Sequence, residues 1–494
     1  MSTFYHSTRS THELLTSKQA ILQGIAADGG LFICDNLAEK RIDLQTVCNN
    51  SFMQNAVLIL STLLDDFSAA EITNCVNAAY GSGFDSFAIT PISALGSSWL
   101  LELWHGPTSA FKDIALQMLP QLMSVSRHDD DRNVMIVTAT SGDTGKAALA
   151  GFANVAGCGI TVFYPEGKVS DMQRLQMVTQ AGTNVAVSAV EGNFDDIQTQ
   201  VKHIFANPDL AEQLAAQNIV FSSANSINIG RLIPQVVYYF DAYAQLVRAG
   251  NITLGDPLEF YVPTGNFGNV LAGYFAKLMG LPVAKLTVAS NANDVLFDFI
   301  RTGRYDRRRS FNKTISPSMD ILVSSNLERL LYLLSEGDCE LIRSYMTQLS
   351  EQGFYQISDE LLSKLQENFA GGRADDNQTR AAIHKAWTDE KVLLDTHTAV
   401  AVSVMDAAKP SAACRVVLST ANAYKFSADV LEALTGTPCT LSGFEAMDEL
   451  QRLTGIPAPT QLSKLREAAV LHPQVCSLDA MTAVVSTACE KSFA

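Results

Sequence analysis

Short runs of β-branched and aromatic residues alternate with amphipathic segments through the middle of the chain. The pattern predicts strands at 134–138, 161–164 and 185–190, and each is followed by a segment with helical periodicity. The turns between them carry glycine. Repeated strand–helix units of this kind form a parallel sheet that is covered by helices.

The same alternation returns after a long helical pattern at 229–248. Strands are predicted at 258–262, 286–289 and 415–418, with a helix at 270–279. We therefore predict an α/β fold with two parallel-sheet α/β domains, at 96–225 and 226–494. Residues 1–95 are predicted to form a mostly helical N-terminal extension.

A charged, helical stretch at about 325–390 is predicted as an insertion in the second α/β domain, and its Gly371-Gly372-Arg373 segment as an exposed break. The arginines between 301 and 309 are expected to lie in a solvated loop, and we assign them no function.

Composition narrows the possible partners. The 494-residue chain has a net charge of −16, which gives no basis for binding nucleic acid or an anionic membrane. Its nine cysteines are scattered without a Cys-x-x-Cys pair, so neither a disulfide framework nor a zinc site is indicated, and we predict no metal. No apolar run reaches membrane-spanning length. We therefore expect a cytoplasmic protein.

Lys112 is the first candidate for chemistry. It lies between Phe111 and Asp113, after a Gly-Pro turn and at the start of a helical pattern. Desolvation beside an aromatic ring disfavours the ammonium form and lowers the pKa of a lysine, as a nucleophilic amine requires. An ordinary lysine at a helix start, reaching out to water, is the alternative for this motif alone.

A first glycine-containing loop, 141–145, joins a predicted strand to a helix, where free N–H groups and the helix dipole favour an anion. The loop is not a P-loop, because Thr140 stands where the earlier glycine is needed and Ala147 follows Lys146. It also lacks the G-x-G-x-x-G pattern of dinucleotide-binding proteins. A tight packing turn remains the alternative.

A second loop, 265–269, has the same position in the second α/β unit. Its two glycines permit close backbone approach, so that successive N–H groups can surround a phosphate monoester. A packing turn is again the alternative. Two such loops and an activated lysine together suggest a phosphorylated cofactor between two domains, and pyridoxal 5'-phosphate (PLP) fits all three.

Read together, these segments resemble the threonine synthase family of fold-type-II PLP enzymes, and the resemblance covers most of the chain. Besides the lysine motif and the two loops, matching segments lie at 5–9, 27–31, 164–168, 191–196, 225–228, 324–329 and 395–399.

The resemblance implies a set of site residues. Lys112 is the catalytic residue that forms the Schiff base with PLP, Asp143 lies near the phenolic oxygen of the cofactor, and Thr420 faces the pyridine nitrogen. The cofactor phosphate is held by Gly265, Asn266, Phe267, Gly268 and Asn269. The substrate carboxylate is bound by Ser141, Gly142 and Thr144, and the substrate phosphate by Asn225, Ser226 and Arg231.

The implied activity is a lyase reaction that converts the small molecule O-phosphohomoserine and water to threonine and phosphate. Two readings stay open beside it: a phospho-lyase that releases an oxo acid and ammonia from the same substrate, and a non-catalytic descendant that binds PLP or another ligand. A dehydratase of the same fold type is disfavoured by the phosphate-binding set. The sequence leaves the oligomeric state undecided.

The chain departs from the family pattern at three places. Many relatives carry His-Pro where Asn422-Ala423 stands, Asp-Pro-His where Asp395-Thr396-His397 stands, and a small residue in place of Lys146. These differences leave the implied roles of Lys112, Thr420 and both loops intact.

Overall fold

Two large sheets organise the computed structural model, which describes residues 3–127, 130–140 and 142–493 except for the side chain of Asp195. The predicted α/β fold is confirmed. The five-stranded sheet has the order β16-β8-β7-β6-β9 and is parallel throughout. Its strands are β6 (Asn133–Ala139), β7 (Cys158–Pro165), β8 (Val185–Val190), β9 (Ile219–Ser222) and β16 (Val475–Cys476).

The six-stranded sheet has the order β14-β11-β10-β15-β5-β4, and only the β4–β5 pair is antiparallel. Its strands are β4 (Ile92–Leu95), β5 (Ser98–Glu102), β10 (Leu258–Pro263), β11 (Val283–Ser290), β14 (Phe369–Arg373) and β15 (Cys414–Ser419). The central strands are largely apolar on both faces because helices cover both sides, and every residue of β10, including Glu259, is buried.

Helices cover the sheets and form most of the N-terminal region. Before strand β9 they are α1 (Ser17–Gln23), α2 (Leu44–Asn49), α3 (Phe52–Leu63), α4 (Ala69–Tyr80), α5 (Lys112–Ser126), α6 (Asp143–Phe152), α7 (Asp171–Val178), α8 (Phe194–Ala206) and α9 (Pro208–Ala216).

The remaining helices are α10 (Ile229–Leu232), α11 (Pro234–Arg248), α12 (Gly268–Leu278), α13 (Val295–Thr302), α14 (Leu327–Leu334), α15 (Cys339–Glu351), α16 (Asp359–Asn368), α17 (Asp376–Glu390), α18 (Thr396–Ala407), α19 (Ser427–Thr435), α20 (Gly443–Thr454), α21 (Thr460–Ser463) and α22 (Met481–Phe493).

The N-terminal region also contains a small sheet that the sequence did not predict. Strands β1 (Tyr5–Ser7), β2 (Ser10–Leu15) and β3 (Phe32–Ile33) pair antiparallel in the order β2-β1-β3. Strands β1 and β3 have three and two residues, too few to show a two-residue alternation, and β2 is polar except for its last two leucines. A two-stranded antiparallel pair joins β12 (Arg304–Asp306), which precedes the predicted insertion region, to β13 (Phe354–Gln356) within it.

Sheet membership crosses the predicted domain boundaries at two places. Strand β5 was assigned with 96–225 but pairs with β15 in the six-stranded sheet, and β16, near the C-terminus, pairs with β8 in the five-stranded sheet. Both are pairings between segments almost 300 or more residues apart, which periodicity along the chain does not report. The chain therefore passes between the two sheets from β5, through α5, to β6.

The prediction of an exposed break at Gly371-Gly372-Arg373 is wrong. These residues belong to β14, an edge strand that pairs in parallel with β11. Glycine is needed because a Cβ on Gly372 would lie 2.3 Å from Cγ1 of Val404. Because the two glycines have no side chains, the sequence of β14 shows no alternation of apolar and polar residues.

The arginines between 301 and 309 carry nearby acidic partners: Arg309 pairs with Asp294 and Asp298, and Arg308 pairs with Asp306. Among the described residues, no helix has the length and apolar character needed to cross a membrane. Within the same ranges, no group of three or more His, Cys, Asp or Glu side chains is placed to hold a metal ion.

Candidate active site

Lys112 is the first residue of α5, at the point where the chain passes from one sheet to the other. Its Nζ lies 5.8 Å from the centre of the Phe111 ring and 3.5 Å from the hydroxyl of Ser318. The neighbouring Asp113 instead accepts hydrogen bonds from the N–H and hydroxyl of Thr108, at 2.9 and 2.6 Å. Within the described ranges, no carboxylate forms an ion pair with Lys112.

Burial lowers the pKa of the Lys112 amine to about 8. The positive charges of Arg231 and Lys425 act in the same direction, whereas Asp143 and Asp113 oppose them. At pH 7 roughly a tenth of the amine is therefore neutral, far more than in an ordinary lysine, and the neutral form is the one that attacks a carbonyl or accepts a proton.

Asp143 begins α6, after β6, and is buried. One of its carboxylate oxygens, Oδ2, accepts a hydrogen bond from Ser318 at 3.3 Å, so the Ser318 hydroxyl lies between Asp143 and Lys112. Burial alone would raise the pKa of Asp143, but the positive charges of Lys425 and Lys112 hold it well below its usual range. Asp143 is thus a carboxylate in the immediate surroundings of the lysine.

The second loop, 265–269, follows β10 and starts α12. Phe267 has a left-handed backbone with φ of 63°, which turns the loop into the helix. The loop carbonyls face away from its N–H groups: Gly265 O accepts from the Ser324 hydroxyl at 2.8 Å, and Asn266 O accepts from the N–H and side chain of Asn326, both at 3.1 Å.

Donors in this loop lack acceptors. Within the described parts of the chain, no residue accepts a hydrogen bond from the N–H of Asn266, Phe267 or Gly268. The Asn269 side chain is held by Tyr238 and Tyr239, which donate to its Oδ1 at 2.6 and 3.0 Å, while its buried Nδ2 has no partner. Unpaired buried donors are costly, so this arrangement is suited to an anion.

The first loop is partly described, because Ser141 lies outside the described residues. The hydroxyl of Thr140 accepts hydrogen bonds from the N–H groups of Gly142 and Gly145, both at 3.0 Å. The Gly142 bond would have to break before its N–H could bind a carboxylate. Thr144 lies in the first turn of α6, where helix N–H groups have no partner within the helix.

Arg231 lies in α10 and is 6% exposed. Its guanidinium donates to the carbonyl of Ala224 at 2.9 Å, and no carboxylate of the described residues pairs with it. Burial lowers its pKa to about 10. A buried cation with so few partners favours an anionic ligand.

The other two predicted phosphate-binding residues lie in the segment that leads into α10. Asn225 Oδ1 accepts from Thr138 at 3.2 Å, and the Ser226 carbonyl accepts from Asn326 at 3.1 Å. A Cβ on Gly268 would lie 3.7 Å from Cβ of Ser226, so this segment and the second loop are neighbours.

Thr420 directly follows β15 and is buried. Its carbonyl accepts from the N–H of Phe111 at 2.8 Å, and its own N–H donates to the Thr398 hydroxyl at 3.2 Å. Its hydroxyl makes no hydrogen bond with the described residues. Because Phe111 directly precedes Lys112, its hydrogen bond to Thr420 holds this threonine beside the start of α5.

The predicted residues that the structure describes, all but Ser141, therefore meet at the carboxyl ends of β6, β10 and β15. Lys112 is at the centre, and a Cβ on Gly265 would lie 3.0 Å from the carbonyl oxygen of Ser318, the residue next to the lysine amine. Ligands of open α/β sheets bind at such strand ends.

Sequence reasoning missed three polar residues of this site: Ser318, Lys425 and His397. The N–H of Ser318 donates to His397 Nε2 at 3.1 Å, so the other ring nitrogen, Nδ1, carries the proton and donates to Asp395 at 3.0 Å. His397 stood inside a segment that matched the family and Lys425 stood five residues after Thr420, but no local pattern pointed to a role for either. Ser318 had no signal at all.

Comparison with known proteins agrees with this geometry. The family model "Pyridoxal-phosphate dependent enzyme" matches residues 89–419, and "Threonine synthase N terminus" matches residues 4–80. Threonine synthase of Pseudomonas aeruginosa is 35% identical over 479 residues, covering 95% of this chain and 98% of that protein. The chain belongs to the threonine synthase family of PLP-dependent enzymes.

Two further relatives of the threonine synthase family define the extent of the match. The crystal structure of PLP-bound threonine synthase from Brucella melitensis superposes with a TM-score of 0.88 at 34% identity, covering 100% of both chains. Threonine synthase-like 1 of Macaca fascicularis is 37% identical over 93% of this chain, but the chain spans 64% of the length of that relative.

The residues of this threonine synthase family member fit PLP. The free N–H groups and the unpartnered Asn269 Nδ2 suit a phosphate, and the unpaired hydroxyl of Thr420 suits a ring nitrogen. The amine of Lys112 has the lowered pKa that covalent attachment needs. The fold, the family and the donor set thus agree on the cofactor.

Proposed function

We propose that this protein is a threonine synthase, a lyase that uses PLP to convert O-phosphohomoserine and water to threonine and phosphate. One observation carries the proposal: the amine of Lys112 lies near two elements suited to an anion, the 265–269 loop and the buried Arg231, which has no carboxylate partner among the described residues. A PLP enzyme that acts on a phosphorylated substrate needs both.

PLP, when bound, supplies an electron sink for negative charge that develops next to the amino group of the substrate. In our proposal the 265–269 loop holds the cofactor phosphate, Thr420 faces the ring nitrogen and Asp143 lies near the phenolic oxygen. A neutral threonine does not stabilise a positive ring nitrogen as an aspartate would, so the ring would be a more moderate electron sink.

Lys112 is proposed to move protons at the substrate carbons. Its neutral amine removes a proton from Cα, would pass that proton to the bound cofactor and so become neutral again, and then removes a proton from Cβ as phosphate leaves from Cγ. The amine gives the Cβ proton to Cγ and would take the first proton back from the cofactor. Water then adds its hydroxyl group at Cβ and gives its proton to the departing phosphate, and the amine returns a proton to Cα. A pKa of about 8 suits both directions of transfer near neutral pH.

Arg231, Asn225 and Ser226 are proposed to bind the substrate phosphate and to stabilise it as it departs. The guanidinium can contact two phosphate oxygens at once and has no competing carboxylate among the described residues. The substrate carboxylate is assigned to Ser141, Gly142 and Thr144. The Gly142 N–H joins this set only if it leaves Thr140.

The nearest rival activity is that of a phospho-lyase, which would use the same cofactor residues and release an oxo acid and ammonia. The non-catalytic reading is opposed by the intact lysine and both loops. The similarity to proteins named threonine synthase supports the synthase.

Purified protein should be incubated with O-phosphohomoserine and assayed separately for threonine, phosphate, oxo acid and ammonia. We expect equal amounts of threonine and phosphate. The matched control is Lys112→Ala, which should release neither. Oxo acid and ammonia in amounts equal to phosphate would replace the synthase by the phospho-lyase, and no phosphate release would refute both.

The compartment is proposed from composition. All nine cysteines are unpaired and most are buried, which suits the reducing cytoplasm. Fractionation of cells that express the protein would test this assignment.

A further inference from the structure

A second lysine, Lys425, is buried at the same strand ends and has no role among the predicted site residues. It lies in the short turn Ala423–Phe426 that follows β15 and is 3% exposed. Its Nζ lies 2.7 Å from Oδ1 of Asp143 and donates to the carbonyl of Thr108 at 2.9 Å. The pair joins the end of a strand of the six-stranded sheet to the helix that follows a strand of the five-stranded sheet.

The carboxylate of Asp143 divides its two oxygens between separate partners. Oδ1 receives Lys425 and also Gln173, whose Nε2 lies at 3.2 Å. Oδ2 receives the hydroxyl of Ser318, which lies 3.5 Å from Nζ of Lys112. Lys425 thus reaches Lys112 through one carboxylate and one hydroxyl, without touching it.

The charges around Lys112 come from four other groups. Asp113 is on its own helix, Asp143 is at the start of α6, Arg231 is in α10 and Lys425 follows β15. His397 faces Asp143 from the start of α18. Removal of Lys425 would leave Asp143 as an uncompensated negative charge on the side that faces Lys112, and this charge would stabilise the protonated form of that amine.

We propose that Lys425 is a positioning residue for the reaction: it neutralises Asp143 and fixes its orientation, so that Lys112 can give up its proton. This inference rests on the proposed function and deepens it. If the pair only tied the two sheets together, its loss would lower stability without changing how Lys112 titrates.

Four variants separate these two roles. Lys425→Met removes the positive charge, Lys425→Arg keeps it, Asp143→Asn removes the negative charge, and the double variant Lys425→Met/Asp143→Asn removes both. The first readout is the pH midpoint of the change in visible absorbance of the full-length protein with PLP bound. The second is the pH midpoint of Lys112 labelling by an amine reagent in cofactor-free protein, mapped by mass spectrometry.

We expect Lys425→Met to raise both midpoints by about one pH unit or more, and Asp143→Asn to lower them. Lys425→Arg should stay within about 0.3 of the unmodified protein, because it keeps the charge, and the double variant should lie between the two single variants. Midpoints that are equal in all variants, with only the melting temperature changed, would overturn the proposal.

The labelling readout needs neither PLP nor substrate, so it also separates this inference from the proposed function. Shifts of opposite sign in the two single variants support the charge role of Lys425 whatever product the enzyme makes. If Lys425→Met does not fold, the pH midpoint of Lys112 labelling is compared between Asp143→Asn and the double variant, which also differ only at residue 425. Equal midpoints in these two variants would overturn the proposal.

Discussion

Arg231 gives a prediction in which stability and function change in opposite directions. Its guanidinium is buried, hydrogen-bonds to the Ala224 carbonyl and has no carboxylate partner among the described residues. We attribute this costly arrangement to the need to bind a phosphate. The perturbation is Arg231→Met, which removes the charge and keeps most of the apolar stem.

The expected change in stability of Arg231→Met follows from the lowered pKa of Arg231. A pKa of about 10 for Arg231 corresponds to a cost of about 3 kcal/mol for keeping the guanidinium charged in the folded protein. Loss of the hydrogen bond to Ala224 offsets about 1–2 kcal/mol of this gain. We therefore expect Arg231→Met to melt at the same temperature as the unmodified protein or up to about 3 °C above it.

The functional loss should be large. Two charge-assisted hydrogen bonds to phosphate are together worth about 3–4 kcal/mol, so kcat/KM for O-phosphohomoserine should fall by roughly 10²–10³. Added inorganic phosphate should raise the melting temperature of the unmodified protein but not that of Arg231→Met. Steady-state kinetics and thermal scans with and without phosphate measure both effects.

Arg329 is the matched control, because it is equally buried but fully engaged in the fold. It donates to Phe32 O at 2.9 Å, to Asn326 Oδ1 at 2.6 Å and to the carbonyl of Ile227. Arg329→Met removes three hydrogen bonds to the guanidinium, each worth about 1.5–3 kcal/mol, whereas Arg231→Met removes one. Burial lowers the pKa of Arg329 to about 9, so relief of this burial offsets about 5 kcal/mol of the loss, and Arg329→Met should melt below Arg231→Met. If Arg231→Met destabilises the protein as much as Arg329→Met and leaves kcat/KM unchanged, our account of Arg231 is refuted.

Two further predictions concern the lysine and the second loop. Since the pKa of Lys112 is lowered to about 8, the neutral fraction of the amine rises with pH, and the rate of PLP capture by cofactor-free protein should increase roughly tenfold between pH 7 and 9 in stopped-flow absorbance; a flat rate would contradict this. Asn326→Ala removes the side chain that bridges Ser226 and Asn266, and should raise the Kd for PLP about tenfold in a fluorescence titration. Asn368→Ala, which removes a bond within α16, is its control, and equal Kd values would refute the bridging role.

Local patterns predicted the parts of the fold that have local causes. Strand β8 begins and ends where its apolar run does, and the two anion loops follow strands because glycine punctuates them. Lys112 was recognisable because its aromatic and acidic neighbours are adjacent in the chain. Strand β14 was not, because its two glycines have no side chains from which to read a pattern.

The rest of the site depends on contacts between distant segments. Ser318 lies 206 positions from Lys112 in the chain, and its hydroxyl reaches the amine because a short helical turn there packs against His397. Lys425 finds Asp143 because two strand ends of different sheets meet. Neither contact has a periodicity or motif of its own, so sequence reasoning had nothing to find.

The central claim is that Lys112 carries PLP between the two loops, and borohydride reduction tests it most directly. Reduction of the yellow holoprotein fixes the cofactor to the amine that holds it, and peptide mass spectrometry identifies that lysine. We predict one equivalent of label at Lys112 and loss of the visible band. Label at Lys146 or Lys425, the other buried lysines near this site, or protein that binds no PLP, would contradict the account.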